Sequence, residues 1–147
     1  MKKIQREVVT YKDVYVSVDG KEFGTEADCT AWENSYRGTM AASWALIKKE
    51  AVNDNDLGIP YSNDDNECYV IKPRNLDDIV VINAYIESVT YGNGRMLTSE
   101  HIGKLVVLDF GYDRDFCDAY ILEDHVAKIT KYIAEVADKF NEEKEEN

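Results

Sequence analysis

Residues 105–122, LVVLDFGYDRDFCDAYIL, decide the fold. Two apolar runs flank the polar, glycine-containing stretch 111–115, which is typical of a turn. The pattern predicts a β-hairpin with strands Leu105–Phe110 and Phe116–Leu122. A helix is predicted to begin near Glu123. Its apolar residues recur at steps of three and four and form one face: Val126, Ile129, Ile133, Val136 and Phe140.

A second hairpin is predicted near the N-terminus. Val14, Val16 and Val18 alternate with other residues, which is the period of a half-buried strand. The dipeptide Asp19-Gly20 predicts a type I′ turn, because both central residues of that turn need positive φ. Lys21-Glu22-Phe23 is the predicted return strand.

A helix is predicted to begin after its cap, Thr25, and to run to about Glu50. Gly38 lies within its apolar stripe and interrupts the pattern. The two tryptophans and the tyrosine of the stripe are interpreted as core residues rather than as a ligand platform. The stripe consists of Cys29, Trp32, Tyr36, Met40, Trp44 and Ile47.

The middle of the chain predicts one strand and one helix. Cys68–Lys72 is the strand, and Asn75 caps a helix that ends at the glycines of 92–94. The element order is then ββα-βα-ββα. It predicts an α+β fold in which three helices pack on an antiparallel sheet of two hairpins and a single strand. We expect one domain over residues 1–141 and an acidic, frayed tail over 142–147.

Charge is the most unusual feature of the composition. The chain has 147 residues, with 17 basic and 29 acidic side chains, a net charge of −12. This balance argues against direct binding of nucleic acid. Apolar runs are too short for a membrane span, and no apolar run follows the N-terminal charges as in a secretory signal. Three widely spaced cysteines, Cys29, Cys68 and Cys117, then predict reduced thiols in a cytoplasm.

Catalytic motifs are not found in the sequence. It contains no G-x-S-x-G, H-E-x-x-H or C-x-x-C pattern, and its glycine-rich segment 92–94 follows a helix rather than a strand. We therefore expect no catalytic residues, no metal and no cofactor. One enzyme alternative stays open, which is metal-assisted phosphodiester chemistry at Asp109, Asp113 and Asp115.

An acidic surface is the first candidate for function. Exposed carboxylates can occupy a basic channel that evolved for DNA or RNA, by competing for its lysines and arginines. The candidate residues lie in the polar loop 53–66 and around the second hairpin. They are Asp54, Asp56, Asp64, Asp65, Asp109, Asp113 and Asp115.

A small basic set is the second candidate. Lys72 and Arg74 precede the helix that Asn75 caps, where backbone N–H groups favour anions. Arg95 and Arg114 lie in turns and could join them, and Tyr91 could stack on a base. This set predicts a phosphate-binding pocket, and self-association of the chain through exposed aromatic residues of the first helix stays open.

Residues 14–33 resemble the opening of small phage and prophage accessory proteins. The likeness is carried by Val14–Phe23, a hairpin around Asp-Gly, followed by Thr25-Glu26 and by Cys29-x-x-Trp32-Glu33. The resemblance implies a host bacterial cytoplasm during infection and a role against host immunity. It transfers no catalytic residue.

Together these observations predict a non-enzymatic phage counter-defence protein. The first hypothesis is an inhibitor that binds a host defence protein through acidic surface, of the anti-CRISPR or anti-restriction type. The alternative is a sponge for a cyclic nucleotide or cyclic ADP-ribose immune signal, of the anti-CBASS or anti-Thoeris type. Its partner would be that nucleotide second messenger.

Overall fold

The computed structural model describes residues 1–53, 67–111 and 114–145, with side chains as far as Glu142. The chain divides into two compact units, Met1–Ala42 and Ser43–Asn147. The boundary lies within a helix that runs from Tyr36 to Glu50.

The first unit contains a two-stranded antiparallel sheet. Strand β1 (Tyr15–Val16) pairs with β2 (Glu22–Phe23). The predicted type I′ turn is wrong. Gly20 has a φ of 87°, but Asp19 is not among the residues with positive φ. Gly20 N instead donates to the carbonyl of Ser17, which gives a three-residue loop with glycine in the left-handed position.

The faces of this hairpin also differ from the prediction. Val14, Val16 and Val18 are 48, 59 and 64% exposed, whereas Ser17 is buried. The Ser17 hydroxyl accepts from Lys21 N and donates to Asp19, so local hydrogen bonds rather than apolar burial set this face.

The single helix predicted over residues 25–50 is two helices, α1 (Glu26–Asn34) and α2 (Tyr36–Glu50). Thr25 caps α1 as predicted, by accepting from Asp28 N. Ser35 separates the helices with extended backbone, and its hydroxyl accepts from Gly38 N. Gly38 is buried, and a Cβ there would overlap the carbonyl oxygen of Trp32.

The second unit is built on a four-stranded antiparallel sheet. Its order is β3-β4-β5-β6. The strands are β3 (Val52–Asn53), β4 (Glu67–Ile71), β5 (Val106–Phe110) and β6 (Cys117–Ile121). The helices are α3 (Leu76–Thr90), a 3₁₀ turn (Ser99–His101) and α4 (Leu122–Glu145). The hairpin predicted from residues 105–122 therefore forms, with the first strand one residue shorter at its outer end and the second strand one residue shorter at each end.

One face of this sheet holds the core. The register places Tyr69 opposite Leu108 and Leu108 opposite Ala119, so these three side chains share a face. Ile82 and Ile86 of α3 pack in the same cluster and are 0% exposed. Trp44 joins them and stacks on Tyr85, with ring centres 4.1 Å apart.

The predicted arrangement of elements is wrong, although the α+β class holds. The described residues form four α-helices and two separate sheets rather than three helices on one sheet. The first hairpin has two residues in each strand and pairs only with itself. The pairing of β3 with β4 completes the larger sheet instead, and a two-residue strand has too few residues to show a period in the sequence.

In the part of the chain that the structure describes, no helix is long and apolar enough to span a bilayer.

Candidate functional site

Asp19 joins the hairpin of the first unit to α1. Trp32 Nε1 donates to both oxygens of the carboxylate, at 3.1 and 3.3 Å, and Ser17 Oγ donates to it as well. Partial burial raises the pKa of Asp19, but the hydrogen bonds from Ser17 and Trp32 outweigh it and hold the pKa below 3.8. Asp19 is therefore charged at neutral pH and has a structural role.

Lys21 is held by the same tryptophan. Its Nζ lies 3.9 Å from the centre of the Trp32 ring and 5.7 Å from the centre of the Phe23 ring. These distances are in the range of cation–π attraction. The lysine thus caps the aromatic pair.

We call residues 14–33 the acidic hairpin–helix. It contains five carboxylates and one lysine, a net charge of −4. Glu33 also accepts a hydrogen bond from Val18 N, at 3.2 Å. Because Asp19 and Lys21 are engaged with Trp32, the other four acids supply the charge that this surface presents. All four are exposed: Glu22, Glu26, Asp28 and Glu33.

An open groove of about 800 Å³ lies along one side of the acidic hairpin–helix. Its wall combines aromatic rings with the charges of Asp28 and Arg37, and Tyr36 is 70% exposed there. Enclosed pockets are usual for small molecules, whereas an open groove of mixed polarity fits a protein segment. The lining residues are Phe23, Asp28, Ala31, Trp32, Ser35, Tyr36 and Arg37.

The three cysteines are buried and form no disulfide. Burial, with Glu33 and Asp19 nearby, raises the pKa of the Cys29 thiol. Burial, with Asp109 and Asp118 nearby, raises the pKa of Cys117 to about 12. A thiol of raised pKa is protonated at neutral pH, and the thiolate is the nucleophile. Neither cysteine is suited to nucleophilic catalysis.

A charged cluster lies at the hairpin end of the larger sheet. Asp109 and Asp118 are directly opposite each other on β5 and β6, a destabilising pairing of like charges. Arg95 Nη1 lies 3.6 Å from Asp118 Oδ1 and offsets that repulsion. Arg114 Nη2 lies 2.6 Å from Glu67 Oε2 in the same region.

Arg74 and Lys72 lie at the other end of the sheet, where β4 leads to α3. Arg74 Nε and Nη2 donate to both oxygens of Asp78, at 2.9 and 3.2 Å. These hydrogen bonds, ahead of the burial that opposes them, lower the pKa of Asp78. Asn75 Oδ1 accepts from Asp78 N and caps α3 as predicted. The anion site expected here is therefore already filled by a carboxylate of the chain.

The small pocket beside Arg74 has a volume of about 90 Å³. At roughly 30 Å³ for each water, it holds a few solvent molecules. Ligand pockets are typically about 300 Å³ or more. Glu50 and Asp78 line it together with Lys72 and Arg74, so acids and bases are balanced there.

The four basic residues of the nucleotide hypothesis do not meet in one place. Arg95 and Arg114 lie at the hairpin end, and Lys72 and Arg74 follow the opposite end of β4. The four-residue rise along β4 separates those ends by roughly 13 Å. Tyr91 lies just after α3 with a φ of 52° and is 92% exposed.

Most of the acidic candidates lie outside the described residues. Of the two that are described, Asp109 is half-buried on the sheet and Asp115 is exposed beside the β5–β6 turn. Over residues 1–53, 67–111 and 114–145, no group of three or more histidine, cysteine or acidic side chains is placed to hold a metal. The candidates outside the description are Asp54, Asp56, Asp64, Asp65 and Asp113.

The arrangement around Trp32 was missed in the sequence. The sequence pattern predicts Trp32 as part of an apolar stripe, yet its Nε1 donates to Asp19, thirteen residues earlier. The signal that was present is Trp32 itself, since a tryptophan N–H that leaves solvent needs an acceptor. The short polar hairpin before α1 offered the nearest acceptors.

Comparison with protein-family models, with curated proteins and with solved structures gave no match. The function of this chain is therefore inferred from its own residues.

Proposed function

We propose that this chain is a non-enzymatic binding protein that inhibits a basic partner through the acidic hairpin–helix. The partner class is a bacterial defence protein with a nucleic-acid channel, of the CRISPR or restriction type. The observation that carries the proposal is the set of four exposed carboxylates on residues 14–33, beside an open groove with aromatic walls.

The net charge of the chain supports encounter with a basic partner, although most of this charge lies outside the acidic hairpin–helix. The second unit has 11 basic and 22 acidic residues, so it carries −11 of the total charge of −12. The first unit has six basic and seven acidic residues, and four of its bases precede residue 13. A field of this sign accelerates encounter with a basic channel, and the local surface then decides which partner stays bound.

The pairing of the arginines favours protein binding over nucleotide capture. Arg74, Arg95 and Arg114 each lie within 4.0 Å of a carboxylate oxygen. A nucleotide phosphate would have to displace those carboxylates. The setting in a phage-infected bacterium is carried by the resemblance of residues 14–33 to phage accessory proteins.

A competition assay tests the proposal. Purified restriction endonucleases and CRISPR effector complexes are each incubated with fluorescein-labelled duplex DNA, and the chain is titrated in. We expect the chain to displace DNA from at least one of them, with an affinity that falls as salt rises from 50 to 300 mM. Undiminished DNA binding by every complex would contradict the proposed function.

Two charge-matched variants locate the surface. Glu22→Gln/Glu26→Gln/Asp28→Asn removes three charges from the acidic hairpin–helix. Three exposed acids of the second unit are changed in the control, Glu87→Gln/Glu100→Gln/Glu142→Gln. We expect the first variant to weaken displacement at least tenfold more than the control. Equal weakening would mean that net charge alone acts and would overturn the assignment to residues 14–33.

A thermal-shift screen separates the sponge alternative from this proposal. The compounds are cyclic dinucleotides, cyclic trinucleotides and cyclic ADP-ribose isomers. A ligand at 100 times its Kd stabilises a protein by about 2.7 kcal/mol, which raises the melting temperature by several degrees. We expect no shift with any of them. A shift that Arg74→Ala or Arg114→Ala abolishes would establish signal capture instead.

A further inference from the structure

We infer that α4 is a dimerisation helix and that its partner is the α4 of a second copy of this chain, in antiparallel orientation. The inference concerns a surface that the proposed function does not use. It starts from the apolar side of α4, which we call the α4 stripe. The α4 stripe consists of Leu122, Val126, Ile129, Ile133, Val136 and Phe140.

The spacing of the α4 stripe is that of a two-stranded coiled coil. Successive members are separated by four, three, four, three and four residues, so they occupy alternating d and a positions of a heptad. A helix that packs on a globular core usually has a wider apolar face, with additional e or g positions. The positions that flank the α4 stripe hold one acid, Glu123. The remaining flanking positions hold Thr130 and Ala137 on the same side as Glu123, and His125, Tyr132 and Lys139 on the other side.

The α4 stripe is open to solvent along most of the helix. Val126, Ile133 and Phe140 are 45, 61 and 64% exposed, and Ile129 and Val136 are half-buried. Tyr132, beside the α4 stripe, is 66% exposed. A run of large apolar side chains of this kind marks an interaction surface. Leu105 extends it at the N-terminal end, since it is 50% exposed and its carbonyl accepts from Leu122 N.

Most of the acidic charge described on α4 lies away from the α4 stripe. Apart from Glu123, the acids described on this helix lie at heptad positions c and f, the outer side of a coiled coil. This arrangement matters because two copies with a net charge of −12 each repel one another. The α4 stripe is the part of α4 where two copies can approach without opposing carboxylates. The acids at c and f are Asp124, Glu135, Asp138 and Glu142.

The α4 stripe is complementary to itself when the helices are antiparallel. A two-fold axis near residue 131 places Leu122 opposite Phe140, Val126 opposite Val136, and Ile129 opposite Ile133 of the second copy. Each layer then pairs an a position with a d position, and the interface is isologous and closed. The same axis brings the two Tyr132 side chains together.

The C-terminal charges set the orientation. Residues 142–146 contain four glutamates and one lysine. A parallel pair would bring the two acidic C-terminal ends of α4 to the same level, where they repel one another. In an antiparallel pair the two acidic ends are separated by the length of α4, which is roughly 36 Å for 24 residues.

A membrane surface fits the helix less well than a second copy. Helices that bind in the plane of a bilayer usually carry lysine and arginine on the polar face. Over residues 122–145, α4 has four lysines and seven acids. Anionic lipids would repel it.

Sedimentation equilibrium of the full chain between 1 and 200 μM tests the inference. We expect a mass of about 34 kDa, twice 16.8 kDa, that falls toward the monomer on dilution. Ile133→Glu places a charge in the α4 stripe of both copies and should weaken dimerisation at least 100-fold. Ala134→Glu adds the same charge one residue away, at an exposed b position, and should leave the mass unchanged.

Three results would overturn the inference. They are a monomer at every concentration, an unchanged dimer in Ile133→Glu, or equal loss in Ala134→Glu. Far-ultraviolet circular dichroism of each variant verifies that α4 is still helical, and Ile133→Ser is measured if Ile133→Glu loses helix.

Disulfide cross-linking tests the orientation. Leu122→Cys and Phe140→Cys variants are oxidised separately and as a mixture. An antiparallel pair gives a cross-linked dimer in the mixture, while each variant alone stays uncross-linked. Cross-linking of Phe140→Cys alone would show parallel helices and would contradict the proposed orientation.

Discussion

Helices α3 and α4 have similar apolar patterns and opposite surroundings. In α3 the isoleucines at 79, 82 and 86 are 6, 0 and 0% exposed, because the sheet covers them. In α4 the corresponding stripe is largely open, with Ile133 at 61%. The comparison shows that periodicity predicts a helix and its apolar side, whereas the covering surface is decided by tertiary structure.

The largest predicted loss of stability comes from truncating a buried isoleucine of α3. Ile82→Ala should lower the free energy of unfolding by about 2–5 kcal/mol, since it leaves a cavity in a closed core. Ile133→Ala on α4 should cost less than about 0.5 kcal/mol under monomeric conditions. Urea titrations at 1 μM measure both variants. Similar losses would mean that α4 is as deeply covered as α3.

Overpacking of the α3 core should be the next largest effect. A Cβ at Gly94 would overlap Ile86 Cγ2, while one at Gly24 meets no atom within 4 Å. Gly94→Ala should therefore destabilise the second unit by about 1–3 kcal/mol. Gly24→Ala is the control and should not destabilise the chain. Thermal unfolding of both variants, followed by circular dichroism, distinguishes them.

The hydrogen bonds at the start of α3 should contribute about 1 kcal/mol to the free energy of unfolding, and this contribution should depend on pH. Hydrogen bonds from Arg74 lower the pKa of Asp78 in the folded state. Stability from such a carboxylate is fully present above its unfolded pKa of about 3.9 and is lost as the pH falls through the lower, folded pKa. Urea titrations from pH 7 to pH 2 should show this loss in the wild type. In Asp78→Asn this contribution to the free energy of unfolding is missing at pH 7. If the free energy of unfolding of the variant fell with pH below pH 4 as steeply as that of the wild type, the prediction would be contradicted.

The ion pair on the outer side of α4 should contribute least to the free energy of unfolding. Lys131 Nζ lies 4.0 Å from Glu135 Oε1, and the two side chains are 79 and 62% exposed. Ion pairs of this kind stabilise helices by about 0.5 kcal/mol or less. Lys131→Ala should change the urea midpoint only slightly, and the change should disappear in 1 M NaCl. A loss above 1 kcal/mol would show that α4 has a partner on that side.

Much of the second unit was predictable from sequence. Alternation and turn residues gave β4, β5 and β6 within a residue or two, and Asn75 was identified as a cap because asparagine side chains accept from the first helical N–H groups. The break at Ser35 was not predicted. Serine is compatible with a helix, and the close approach of Gly38 to the Trp32 carbonyl is visible only in the folded chain.

The candidate site was less predictable than the fold. Sequence identified the acidic balance and the basic set. The sequence did not predict how the strands pair, and therefore did not predict that Arg95 lies beside Asp118 or Arg114 beside Glu67. Contacts between distant segments depend on which strands pair in the sheet, and the spacing of residues within one segment does not determine that pairing.

The two tryptophans act as built-in fluorescent reporters, one in each compact unit. Trp32 belongs to the first unit and is hydrogen-bonded to Asp19, whereas Trp44 belongs to the second and is buried against Tyr85. Trp32→Phe leaves emission from the second unit alone, and Trp44→Phe leaves emission from the first. Stopped-flow traces of the two variants would therefore record the unfolding rate of each unit separately, without an added dye.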